Sequence, residues 1–349
     1  MTMIPQNPPH TTIDEQLKAH IQTFGALPVR HFQDILLYSK NGYYANQHVI
    51  GRQGDFITAP EISQVFGEIL ALYYIDYWQR IGKPDHVTFV ELGGGRGTLM
   101  ADMVRIFSHF PDFIRALSLH IVDISPILRH QQITKIAAPI THHASLETVP
   151  ESDTTFIIAN EFFDALPVEQ WIVNQDGKRP RLIDVNDTWY YIPHGIDEYV
   201  IETSEMSLNI AREIKRRLMH GGSTHKSTGG MALIIDYGDA VTARDIRKGD
   251  TLQAVYAHQK VSVFDHMGQA DLSHHVDFKT LIDVFTPLST TLTPQGAFLT
   301  THGIMERTEY LASKAPGQAA MLRTGTARLI SESVMGALFK VLCVETVGK

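Results

Sequence analysis

The sequence predicts an α/β fold: a Rossmann-like sheet with helices on both faces, an N-terminal helical segment in front of it, and insertions within it. Three observations carry that expectation. From residue 87 onward, short apolar runs that end in polar residues alternate with amphipathic stretches, the pattern of parallel strands covered on both sides. The first run ends in the glycine-rich turn Glu91-Leu92-Gly93-Gly94-Gly95-Arg96-Gly97. The next ends at Asp123, and open sheets of this kind bind ligands at such carboxyl edges.

The elements follow in order. Residues 1–85 read as a helical cap segment. Ile13, Leu17, Ile21 and Phe24 recur at helical spacing and Gly25 is placed to stop that helix. A glycine-bearing loop runs from Asn41-Gly42-Tyr43-Tyr44 to Thr58, and Pro60-Glu61 opens a second helix expected to continue to Tyr77. Residues 86–349 form the main domain. Val87–Val90, Leu117–Val122, Thr155–Ala159 and Met231–Ile235 are its strands, and Thr98–Phe107 is an amphipathic helix with Leu99, Met103 and Ile106 on one side. Insertions are expected near 170–228 and 239–278. The first reads as a small antiparallel excursion over 170–195, followed by a glycine-rich loop over 221–230.

Composition narrows the function. The 349 residues are 44% hydrophobic and 19% charged, as in an ordinary globular enzyme. A formal net charge of −8 argues against wrapping nucleic acid, which needs a clustered basic surface. The single cysteine, Cys343, lies in the apolar run Phe339–Val344 and reads as a buried structural thiol. No run approaches the roughly 18 apolar residues that span a bilayer, so no membrane association is expected. The polar N-terminus resembles neither a secretory signal nor an Arg-rich presequence, and a bacterial-type cytoplasm is the expected location. His258, His266, His274 and His275 fall near Asp265, Asp271 and Asp277, but without a compact ligand spacing. No metal is expected there, and the stretch reads as an insertion shaping the acceptor cleft. His142-His143 reads as a surface or helix-edge pair.

The glycine turn defines the chemistry. Glycine lets the backbone take positive φ and lets a ligand approach without a Cβ in the way. A dinucleotide fingerprint would place a third small residue at Thr98, which fits poorly. The pattern Glu91-x-Gly93-x-Gly95-x-Gly97 instead resembles motif I of the methyltransferases that use S-adenosylmethionine. Asp123 is then placed to accept hydrogen bonds from the ribose diol. The plain alternative is that it caps the helix beginning near Pro126, a task Ser125 can also perform.

Several segments together resemble one family, the MidA-like class I methyltransferases, to which the mitochondrial complex I assembly factor 7 belongs. They are Asn41–Tyr44, Gly54–Ser63, the glycine turn, Ala159–Pro167, Ile235–Gly238, Asp271–Phe278 and Leu338–Leu342, spanning about Phe32 to Val344. Two departures are a glycine at Gly94, where the family usually has proline, and the shorter Asp123 where it often has glutamate. The resemblance implies an S-adenosylmethionine-dependent protein arginine N-methyltransferase, and allows symmetric dimethylation. It implies an arginine-bearing protein partner such as a respiratory complex subunit, and allows a homodimer. A catalytically weak assembly factor and a small-molecule methyltransferase are the alternatives. Arginine stays protonated near neutral pH, so its methylation needs carboxylates to hold the guanidinium and a route for the departing proton. Glu161 and then Asp164 are the candidate catalytic residues. Solvated acids at a helix start are the plain alternative. Asn160, and Asp55, Phe56 and Thr58 in a closing loop, join the cofactor set.

The turn pattern predicts that calorimetric titration finds binding of adenosylmethionine and adenosylhomocysteine and none of NAD. Tight NAD binding overturns this reading.

Overall fold

The computed structural model describes residues 12–45, 58–219, 229–240 and 250–346. Its main sheet is built on strands β1 Val87–Leu92, β2 Leu117–Val122, β3 Ile140–His143, β4 Thr154–Asn160, β5 Gly229–Asp239, β6 Ser289–Pro294 and β7 Phe339–Glu345. They lie in the order β6-β7-β5-β4-β1-β2-β3. β1 to β5 are mutually parallel, and β7 runs antiparallel between β5 and β6. The two-residue strand Val276–Asp277 continues the sheet beside Gly238 and Asp239. The chain order reverses between β1 and β4, the point at which such sheets open a crevice.

The central strands are apolar on both faces because both faces are covered. Phe89, Phe156, Ile158, Leu233 and Ile235 point into one core. Their neighbours Val90, Leu92, Ile157, Ala232 and Ile234 point into the other, following the two-residue period of a strand. The first core is closed by α4 (Gln64–Arg80), α5 (Thr98–Phe107), α6 (Pro111–Ala116), α10 (Gln295–Thr301) and α12 (Ala319–Ile330), and the second by α8 (Glu205–Met219) and α9 (Phe278–Phe285). In β7, Cys343 is buried against Tyr73 of α4.

A third core brings the N-terminal helices and both insertions together. Leu17 of α1 (Ile13–Phe24) and Phe32 and Leu36 of α2 (Val29–Tyr38) pack with Ile183 of the first insertion and Ala254 and Leu272 of the second. The antiparallel excursion is present as strands Glu169–Asn174, Gly177–Pro180, Leu182–Val185 and Trp189–Tyr191. Thr12 caps α1 in a capping box with Glu15, and Gly25 ends it at φ 83°. Phe24 is exposed, so the apolar stripe ends before the helix does.

The structure differs from the sequence expectation in two elements. The helix opening at Pro60 stops at once, because Ser63 is extended (φ −155°, ψ 129°) and its hydroxyl accepts from the Val65 N–H. Two helices result, α3 (Ala59–Ile62) and α4, since a serine oxygen offers the backbone a local partner that competes with the helix. Gly229 and Gly230 are strand rather than loop, paired with Thr154 and Thr155; residues 220–228 lie outside the described ones. Among the described residues no helix is long and apolar enough to cross a membrane.

Glu68, fully buried on α4, binds Arg105 of α5 at 2.9 Å and also Arg307 of α11 (Ile304–Lys314). Removing one partner of a buried pair costs about 3–5 kcal/mol when the other is left buried. Here both arginines reach solvent, so the expected cost of Glu68→Gln is smaller, on the order of 2 kcal/mol. Urea denaturation checks this, and an unchanged midpoint contradicts it.

Candidate active site

The turn after β1 places three glycines at positive φ, Gly93 at 68°, Gly95 at 49° and Gly97 at 79°. A Cβ on Gly93 would lie 2.7 Å from the Phe162 ring, and one on Gly97 would lie 3.1 Å from Cα of Gln132. The turn is therefore wedged between the segment after β4 and helix α7 (Pro126–Lys135), with no room for side chains and backbone exposed to the crevice.

Glu91 lies beneath this turn, buried, and its Oε2 has no hydrogen-bond partner among the described residues. Burial, and secondarily the charge of Asp123, push its carboxyl up to about 8. Asp123, at the end of β2, accepts from the Ser125 N–H at 2.9 Å through Oδ1 and from the Gln132 amide at 2.8 Å through Oδ2. Burial raises its pKa, and these two donors work against that. Ser125 is the cap of α7, its hydroxyl accepting from the Leu128 N–H, which leaves Asp123 available for a ligand.

The segment after β4 is a loop and not a helix start. Glu161 takes φ 50°, a strained value for a non-glycine residue, while its N–H still donates to Ile235 O of β5 at 2.8 Å. Its Oε1 accepts from the Ala59 N–H at 2.9 Å and from the Asn160 amide at 3.2 Å. Burial drives the Glu161 carboxyl up to about 7; the Ala59 N–H opposes this and the nearby Asp164 adds to it. Asp164 is raised to about 6 by burial, against a hydrogen bond from the Tyr237 hydroxyl. Beneath both lies Asp236, fully buried, accepting from the N–H groups of Phe163 (3.0 Å), Asp164 (3.2 Å) and Tyr237 (3.0 Å).

One cavity of about 920 Å³ joins these groups. The strands divide its lining into two ends: Gly93, Gly95, Asp123, Ser145 and Leu146 follow β1 to β3, and Glu161, Asp164, Tyr237 and His275 lie at β4, β5 and the strand beside it, with Tyr38 also in the lining. Six lining side chains are carboxylates and two are guanidiniums, so the cavity attracts a cation. A ligand bearing an ammonium and a vicinal diol fits the first end. The turn leaves it backbone rather than side chains, Asp123 faces the crevice, and Glu91 and Asn160 each keep one buried oxygen with no hydrogen-bond partner among the described residues.

The residues singled out in the sequence separate accordingly. Thr58, Gly93, Gly95, Asp123, Glu161 and Asp164 line the cavity, whereas Glu91, Gly97 and Asn160 are not among the lining residues. Asp55 and Phe56 lie outside the described residues. His142 and His143 are no surface pair. They form the end of β3, with His142 bonded to Gln132 and His143 to His120. Sequence reasoning missed Ser145 and Leu146, which follow a strand too short and polar to show a period. It also missed Tyr237, although that residue directly follows the acid Asp236 within β5, and Tyr38, whose hydroxyl donates to Ala165 O at 3.2 Å.

A family model described as "Putative S-adenosyl-L-methionine-dependent methyltransferase" matches residues 69–295. The Protein arginine methyltransferase NDUFAF7 homolog, mitochondrial, of Drosophila melanogaster is 31% identical, over 96% of this chain and 85% of its own length. Protein arginine methyltransferase NDUFAF7, mitochondrial, of Mus musculus is 32% identical, over 94% and 83%. Both are named mitochondrial, where the sequence led us to expect a bacterial-type cytoplasm. Among solved structures, a COG1565 superfamily member from Burkholderia thailandensis bound to S-adenosyl-homocysteine superposes with a TM-score of 0.82. It is 24% identical and the match covers 97% of this chain and 92% of that one. The class I fold expected from the sequence is thereby present.

The raised carboxyl of Glu91 has a consequence for stability. In the cofactor-free folded chain it keeps its proton up to about pH 8, whereas its ordinary value is 4.5. Folding therefore takes up a proton between those values, and stability falls as pH rises through that window. Glu91→Gln is expected to flatten this fall in denaturation midpoints measured from pH 5 to 8. An equal slope in both proteins contradicts it.

Proposed function

The chain belongs to this family of S-adenosyl-L-methionine-dependent methyltransferases, and from that premise we propose that it methylates an arginine side chain of a partner protein. The observation that carries the proposal is the pair of partly buried carboxylates, Glu161 and Asp164, in the same cavity as the glycine turn. The named relatives support it, and the family resemblance makes an arginine-bearing subunit of a respiratory complex the first acceptor to try.

When bound, adenosylmethionine supplies an electrophilic methyl group for in-line displacement, a reaction that positioning accelerates strongly. Gly93 and Gly95 would offer it backbone contacts, Asp123 would accept from its ribose and Thr58 would flank it, while Glu91 and Asn160 stand outside the cavity lining. At the other end the protein must hold a planar cation. Two carboxylates on one loop match the fork of a guanidinium and draw its charge toward them, leaving electron density on the opposite nitrogen. The Tyr237 hydroxyl works against the burial-driven rise of the Asp164 pKa and so favours its anion. Arg328, which lines the same end and pulls the Glu161 pKa down, keeps some of the anion present near neutral pH. A carboxyl at about 7 is poised to accept the proton that a methylated guanidinium must shed.

Glu161→Gln keeps the shape of the side chain and removes its charge and basicity. Transfer from radiolabelled adenosylmethionine is expected to fall on the order of 10²–10⁴-fold, with adenosylhomocysteine affinity within a few fold of wild type. Mass spectrometry of the labelled acceptor should place the methyl groups on arginine. Wild-type turnover in the variant, or label on another residue type, refutes the proposal.

A further inference from the structure

The polar partners of Gln132 form a closed set that no cofactor motif accounts for. Gln132 lies on α7 and is fully buried. Its amide nitrogen donates to Gly95 O at 2.7 Å and to Asp123 Oδ2 at 2.8 Å. Both partners line the cavity, one on the glycine turn and the other at the end of β2. Neither a carbonyl nor a carboxylate can donate, so the amide nitrogen must face them and Oε1 must face the other way. There Oε1 meets Nε2 of His142 at 2.7 Å. An amide oxygen only accepts, so Nε2 of His142 must carry the hydrogen. Ser125 N–H holds the second oxygen of Asp123 at 2.9 Å. The carboxylate is thereby fixed in rotation as well as in place, with its remaining lone pairs directed by a chain that begins on β3.

We propose that Gln132 is a positioning residue for the cofactor: oriented by His142, its amide locks the Asp123 carboxylate against the glycine turn in the rotation that receives the ribose diol. This rests on the methyltransferase reading and on Asp123 as the ribose acceptor. Two flanking glycines fit the same account. A Cβ on Gly97 would press on Cα of Gln132 at 3.1 Å, and one on Gly94 would meet its amide nitrogen at 3.2 Å, so the turn is bare where Gln132 must reach it. A glutamine that served only to fill a buried helix face would be needed equally for any ligand of the cavity. One that aims Asp123 matters more when the diol is present.

The test is calorimetric binding of adenosylhomocysteine and of its 2′-deoxy analogue to the whole chain. The wild type is expected to prefer the diol-bearing ligand by about tenfold, the contribution of one charge-assisted hydrogen bond. In Gln132→Leu both affinities can fall, but their ratio is expected to shrink to about twofold or less. His142→Leu, on the cavity-distant and partly exposed end of the chain, covers the case in which the first variant does not fold, and should also reduce the ratio. His142→Gln, whose amide can still donate, should restore most of it. A wild-type ratio that persists in both leucine variants overturns the role of Gln132 while leaving Asp123 as the ribose acceptor. A wild type that binds both ligands equally removes the ribose reading itself, and the proposal with it.

Discussion

Asp236 lies within β5 with no exposure to solvent, and its two oxygens accept three backbone N–H groups. Two of those N–H groups belong to Phe163 and Asp164, in the loop after β4, and the third is that of Tyr237. A buried carboxylate is costly unless its lone pairs are met, and here the backbone itself meets them. The loop is thereby held in a path that puts Glu161 in a left-handed conformation, Phe162 against Gly93 and Asp164 beside the Tyr237 hydroxyl. Every group assigned to the acceptor end depends on that path.

The two ends of the cavity are consequently not independent. Phe162 packs where a Cβ of Gly93 would be, so the acceptor loop and the glycine turn share one contact surface. On the far side of the turn Gln132 ties Gly95 to Asp123, and α3 docks its first N–H, that of Ala59, on Glu161. The glycine turn is therefore braced from the sheet, from α7 and from the acceptor loop. That arrangement suits a transfer in which donor and acceptor must be aligned within a fraction of an ångström. The surplus of carboxylates in the cavity adds the attraction for a cationic acceptor, and the charge of Asp164 adds to the burial that raises the Glu161 pKa.

Much of this was legible in the sequence, for physical reasons that differ by element. β1, β4 and β5 are covered on both faces, so their residues are uniformly apolar and stand out as runs. The acids and amides that follow such runs stand out with them, which is why Asp123 after β2, and Asn160, Glu161 and Asp164 at and after the end of β4, could be singled out. β3 could not be seen, because a four-residue strand carrying Thr141, His142 and His143 has neither a run nor a period. Its histidines looked like surface residues, although each is engaged by a side chain from another element. The helix break at Ser63 turns on one hydroxyl, a local competition that periodicity does not register. Gln132 was hidden for a further reason. A polar residue in a helix reads as solvent-facing, and only the tertiary contact of α7 with the glycine turn buries it.

The central claim is that Glu161 and Asp164 hold a guanidinium beside the methyl donor. The most direct measurement is a crystal structure of the chain with adenosylhomocysteine and an arginine-containing peptide. The account predicts the guanidinium between the two carboxylates, within hydrogen-bonding distance of both, with one nitrogen facing the cofactor sulfur. A guanidinium bound elsewhere, or a peptide that presents a different side chain to the sulfur, contradicts it.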